Sequence, residues 1–138
     1  MITEGLDYHI NEYGKQSWQT AGSYSALGRI FFIQGNFDES VQNYRKSHDI
    51  YENALGQDHS WTLVCRLSLA ISLMNSGQTD DGTAKLNRTV ADIKSALDSF
   101  SYQSLQRLEI AIEYVENDGH VNADENLLKL KLAVAEAM

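Results

Sequence analysis

Glycine recurs in this chain at one interval: Gly35, Gly77 and Gly119 are each 42 residues apart. A fixed period of this size constrains the fold more than any local propensity, because a repeating unit of about 20–50 residues is one supersecondary element copied along the chain. Other positions keep the same register, including Phe31, Leu73 and Val115, then Tyr44, Leu86 and Leu128, then Tyr13, Leu55 and Leu97. Gly14 matches Gly56, and Leu27 matches Leu69 and Ala111. Inside a unit the spacing is helical. Tyr24, Leu27 and Phe31, and then Val41, Tyr44, Ser47 and Tyr51, advance by three or four residues and so share one side of a helix.

Two helices meet at each register glycine, where a residue without a Cβ can take the left-handed conformation that ends a helix. Asn36 is expected to cap the following helix, with Glu39 closing a capping box. Asn122 and Glu125 repeat that pair, and Thr79 is the expected cap in the middle unit, with Asp80 and Asp81 beside it. The pattern predicts helices near residues 16–34, 37–54, 60–76, 79–97, 101–117 and 122–137, with no strand-period segment. Residues 1–13 read as the tail of a preceding second helix, followed by units 14–55, 56–97 and 98–138 in a single domain. A hairpin this small cannot bury its apolar stripe alone, so neighbours must stack. The expected fold is all-α, a right-handed solenoid of about three helix-turn-helix repeats.

The first unit carries Tyr24, Leu27-Gly28 and Phe31, then Ser40, Tyr44 and Ser47. The second carries Leu69-Ala70, Leu73, Gly82, Leu86 and Thr89. This order of large, small and aromatic positions resembles the tetratricopeptide repeat, and the third unit departs from it at Ile112 and Asp124. The 42-residue unit and the turn Leu55-Gly56-Gln57-Asp58-His59-Ser60 are similar to the kinesin-light-chain-like subgroup. Ser60 stands at that subgroup's proline and is expected to cap the next helix, while Leu67 and Ser68 replace its paired asparagines.

The resemblance implies a protein-interaction module whose first helices line a concave groove. Carried over, the groove positions are Gly22, Ser25, Arg29, Phe32 and Ile33 in the first unit, and Val64, Leu67, Ile71, Met74 and Asn75 in the second. The third unit contributes Gln106, Glu109, Glu113, Glu116 and Asn117. Glu109, Glu113 and Glu116 share a helix face, so the expected ligand is a peptide or protein segment with hydrophobic and basic residues. Burial of the apolar groove positions by a neighbouring element is the competing reading. Leu128, Leu132 and Ala135 keep the core register, and Leu127, Leu130, Val134 and Met138 form a second apolar row. Solenoids end in a polar cap, so that row suggests self-association as a homodimer or continuation in a larger scaffold.

Chemistry has little support. His9, His48, His59 and His120 lack metal-site spacing, and no cofactor or phosphate loop is indicated. Cys65, the one cysteine, reads as a small buried hydrophobe, and Trp18 and Trp61 as packing between units. The expected protein is not an enzyme. A net charge of −8 disfavours nucleic acid and anionic membranes as partners. A single cysteine and a start without the form of a signal peptide give a cytoplasmic expectation.

Overall fold

The computed structural model describes residues 2–118 and 125–138, and the side chains of residues 5–113 and 128–138. The helices are α1 (Ile2–Tyr13), α2 (Trp18–Ile33), α3 (Phe37–Leu55), α4 (Ser60–Asn75), α5 (Thr79–Ala96), α6 (Tyr102–Asp118) and α7 (Glu125–Ala137). No strand occurs among the described residues. The architecture is a tetratricopeptide-like helical-repeat solenoid.

The register glycines make equivalent corners. Gly35 and Gly77 have φ of 81° and 94°. After α2, Asn36 N–H donates to the Phe31 carbonyl at 2.8 Å and Gly35 N–H to Phe32 at 3.1 Å. After α4, Gln78 N–H donates to Leu73 at 3.0 Å and Gly77 N–H to Met74 at 3.4 Å. This is the Schellman arrangement, which satisfies the last carbonyls of each helix and requires a left-handed residue. Gly119 and Asn122 lie outside the described residues.

The starts differ from expectation. Asn36 occupies the N-cap of α3 but its side chain makes no capping bond, and Gln78 rather than Thr79 stands at the N-cap of α5, also without one. Asp38, Glu39, Asp80 and Asp81 in the first turns favour these helix ends through charge. The first helices of the pairs are capped by side chains at one 42-residue spacing. Thr20 N–H donates to Ser17 Oγ at 3.2 Å, Trp61 N–H to His59 Nδ1 at 3.1 Å, and Ser104 N–H to Ser101 Oγ at 3.2 Å. Ser60 is not the cap of α4; it is the first helical residue, and its hydroxyl meets Ser104 Oγ at 3.0 Å.

Small residues let the paired helices cross closely. A Cβ on Gly28 would lie 2.9 Å from the Tyr44 ring, and one on Gly82 would lie 2.8 Å from Met74 N and 2.9 Å from Ala70 O. Ser40, fully buried, donates to the Gly28 carbonyl at 2.7 Å. Two clusters form the core. One joins Ala21, Val41, Tyr44, Ile50 and Tyr51 to Leu69 and Leu73. The other joins Leu63, Leu67, Ala70, Ile71, Leu86 and Val90 to Leu105, Leu108, Ile112, Leu130 and Val134.

The third pair departs from the pattern. Ile112 stands in register with Gly28 and Ala70 and is 1% exposed. Its side chain belongs to the core cluster with Leu105, Leu108, Leu130 and Val134. Among the described residues α6 packs mainly on α4 and α7, and α7 reaches back to α5. Leu130 and Val134 are 0% and 1% exposed, whereas Leu128 and Leu132 are 45% and 65% exposed. This corrects the expected rows of α7. Leu130 and Val134 follow Leu86 and Val90 by 44 residues rather than 42 and lie in the core, whereas Met138 of the same expected self-association row is 43% exposed.

Candidate functional site

The first helices α2, α4 and α6, with α1 as an end wall, enclose a cleft of about 650 Å³. Its walls carry His9 and Tyr13 from α1, then Trp18, Gly22, Ala26 and Arg29 from α2. Trp61, Val64 and Ser68 come from α4, and Arg107, Ile110 and Ala111 from α6. Tyr44, Tyr51 and Cys65 contribute from below.

Aromatic rings dominate one end. The Trp18 and Trp61 rings are 5.3 Å apart, and Trp61 also meets Tyr51 at 6.2 Å and His59 at 5.4 Å. The Arg107 guanidinium lies 5.8 Å from the Trp61 ring centroid, within cation–π range. His9 Nδ1 and Ser23 Oγ, 2.6 Å apart, tie α1 to α2. Arg29 and Arg107 supply the fixed charge of the cleft, and no carboxylate is among its described lining residues.

Beneath the rings the polar groups are satisfied within the protein. Ser47 donates to the Ala21 carbonyl at 2.8 Å and contacts Ser25 Oγ. Burial pushes the Cys65 thiol up to about 11, with its hydrogen bonds to Ser47 and Ser25 opposing, so it remains a thiol and not a nucleophilic thiolate near neutrality. Burial likewise pushes the Tyr51 phenol up to about 12, with Cys65 adding to that shift. Behind the cleft, buried Arg66 donates from Nε to Thr89 Oγ1 at 3.0 Å and from Nη2 to the Asp92 carboxylate, pinning α4 to α5. Among the described residues no group of three His, Cys, Asp or Glu side chains could hold a metal ion, and no helix is long and apolar enough to cross a membrane.

The structure brings Arg29 and Val64, with Gly22 and Ser25, into the cleft, and places the other described groove candidates outside it. Leu67 and Ile71 are 0% and 3% exposed and belong to the core against the third pair. Phe32 is buried with its ring 5.2 Å from Phe37, and Met74 packs on the same cluster. Ile33 is exposed but outside the cleft. The Asn75 amide donates to the Ile71 carbonyl of its own helix at 2.9 Å. Glu109 and Glu113 do not line the cleft either, although they share a register with Ser25 and Arg29, which do. The side chains of Glu116, Asn117 and Leu127 lie outside those described.

Ala26, Ser68 and Ile110 are 42 residues apart and all line the cleft, whereas of the set one residue earlier only Ser25 does, with Leu67 and Glu109 outside it. Trp18 and Trp61 are 43 residues apart and fall outside the sets that share the register.

This geometry defines a helical-repeat domain with a lined concave face. The chain matches the tetratricopeptide repeat family over residues 19–91, more than half of its length, and belongs to that family. It is 27% identical over 88 residues to the clustered mitochondria protein homolog of Homo sapiens, a match covering 64% of this chain and 7% of that relative. Repeats of this family generally mediate protein–protein interaction and are generally noncatalytic.

Proposed function

We propose that the cleft docks a segment of another protein, with apolar or aromatic side chains against Trp18, Trp61 and Val64 and acidic groups toward Arg29 and Arg107. The observation that carries this reading is the lining itself: exposed aromatic surface beside two guanidinium groups, with no described carboxylate. The expected basic ligand is replaced because Glu109 and Glu113 stand outside the cleft. The turn at residues 55–60 supports membership of the kinesin-light-chain-like subgroup as part of the same proposal.

The test is fluorescence anisotropy with a labelled synthetic peptide carrying Phe and Leu between pairs of Glu, compared with a Lys version and a Gln version. The acidic peptide binds best, salt weakens it, and Trp61→Ala abolishes binding. Absence of binding by all three peptides, or binding unaffected by Trp61→Ala, defeats the docking reading.

A second reading rests on Leu128 and Leu132, exposed one turn apart on α7, with exposed Met138 beyond them. Here that face, and not the Leu130 and Val134 row, joins two copies. Light scattering at micromolar concentration should then show a dimer that Leu132→Glu dissociates; a monomer at all concentrations removes this reading.

A further inference from the structure

The first helices of the three pairs begin at Ser17, His59 and Ser101, spaced by 42 residues. Their caps are chemically unequal. At Ser17 and Ser101 a hydroxyl oxygen accepts the capping bond, and it keeps its lone pairs across physiological pH. At α4 the acceptor is His59 Nδ1, and a ring nitrogen accepts only while it carries no proton.

The donor to that bond is the backbone of Trp61, the residue at the centre of the aromatic end of the cleft. The His59 ring also lies edge-on to the Trp61 ring at 5.4 Å. The neighbouring Ser60 hydroxyl is engaged with Ser104 and so is not poised to replace the lost acceptor. Asp58 precedes His59 in the turn, and Arg107 from α6 already sits on the Trp61 ring. A proton on His59 removes the acceptor. It also places positive charge at the positive end of α4, opposite in sign to what a helix N-terminus favours.

We propose that His59 is a proton-operated latch on the cleft: neutral, it holds the first turn of α4 and Trp61 in place; protonated, it releases both. The inference rests on the cleft being the docking site. It makes ligand binding weaken when the His59 ring gains a proton.

The decisive comparison is wild type against His59→Ser, which installs the cap found on α2 and α6, with His59→Asn as a second acceptor that does not titrate. In unliganded protein between pH 7.5 and 5.5, exchange of the Trp61 amide, normalised for its intrinsic pH dependence, quickens about fivefold in wild type and stays level in both variants. The wild-type Tm falls about 3–6 °C further than that of either variant. His9, His48 and His120 are common to all three proteins and cancel. The same acidic Phe/Leu peptide loses affinity about fivefold more in wild type than in the variants. Equal pH responses in wild type and variants overturn the latch. If the peptide binds but with one pH profile in all three proteins, docking stands and the latch falls; if it binds none at either pH, the docking reading falls, while amide exchange still decides the latch.

Discussion

The first two helix pairs and the third were copied from one pattern and settled differently. In α2–α5 each pair closes on a small residue, turns at a left-handed glycine in a Schellman motif, and keeps a 42-residue register in both helices. In the third pair α6 keeps the register, with Leu105 following Leu63 and Ser104 following Thr62 into buried positions, but α7 does not. The turn before α6 also differs: Asp98 stands where Gly14 and Gly56 stand, and the 3-10 turn Leu97–Ser99 replaces their left-handed backbone. A first helix is held by two obligations, stacking on the preceding pair and lining the cleft. A second helix answers only to packing, and in the third pair buried Ile112 stands at the crossing where the first two have Gly28 and Ala70.

Substitutions at equivalent places should separate the two regions. The largest effect is expected at the tightest crossing. Gly82→Val forces a side chain onto the backbone of α4 and should destabilise by about 3 kcal/mol or more, read by urea unfolding. Ile112→Ala removes a fully buried side chain and should cost about 2–5 kcal/mol. An unchanged or raised stability would instead mean that the third pair wants the small residue of the first two.

The shifted register of α7 predicts unequal leucines. Leu130→Ala should cost about 2–5 kcal/mol, while exposed Leu132→Ala should stay within about 0.5 kcal/mol. The reverse order would restore the 42-residue register. At the corners, Gly77→Ala should cost about 1 kcal/mol because φ of 94° suits no Cβ.

The smallest effect concerns His48, whose pKa is lowered by burial, with Glu52 opposing the shift and Arg66 adding to it. Its buried Nε2 makes no hydrogen bond, the Glu52 carboxylate standing 3.5 Å away, and burial leaves the folded state preferring the neutral ring. That contribution is present above the ordinary imidazole value of about 6.5 and is lost as pH falls through it. His48→Gln should therefore flatten the acid limb of a Tm-against-pH curve slightly.

The helices, their corners and the identity of the repeat were legible because glycines and apolar stripes act locally and leave a period. The capping of α4 was not, since His59 and Ser60 are both able to accept and only the Ser60–Ser104 contact decides between them. The cleft was half legible. Arg29 and Val64 fall on its wall by register, but Leu67 and Ile71, which share a register with the cleft residues Ser25 and Arg29, are buried in the core. Apolar type cannot distinguish groove from stacking face, because both are apolar in the middle pair. Arg107 has no charged counterpart at the matching lining positions of the other pairs, so it acquires meaning only when α6 brings it over Trp61.

The central claim is that a ligand occupies the concave side made by the first helices. Amide exchange mapped with and without the acidic Phe/Leu peptide tests it directly. The account predicts added protection in α2, the N-terminal half of α4 and α6 around Arg107, with α5 and α7 unchanged. Protection confined to α3, α5 or α7 would place the ligand on the opposite side and contradict it.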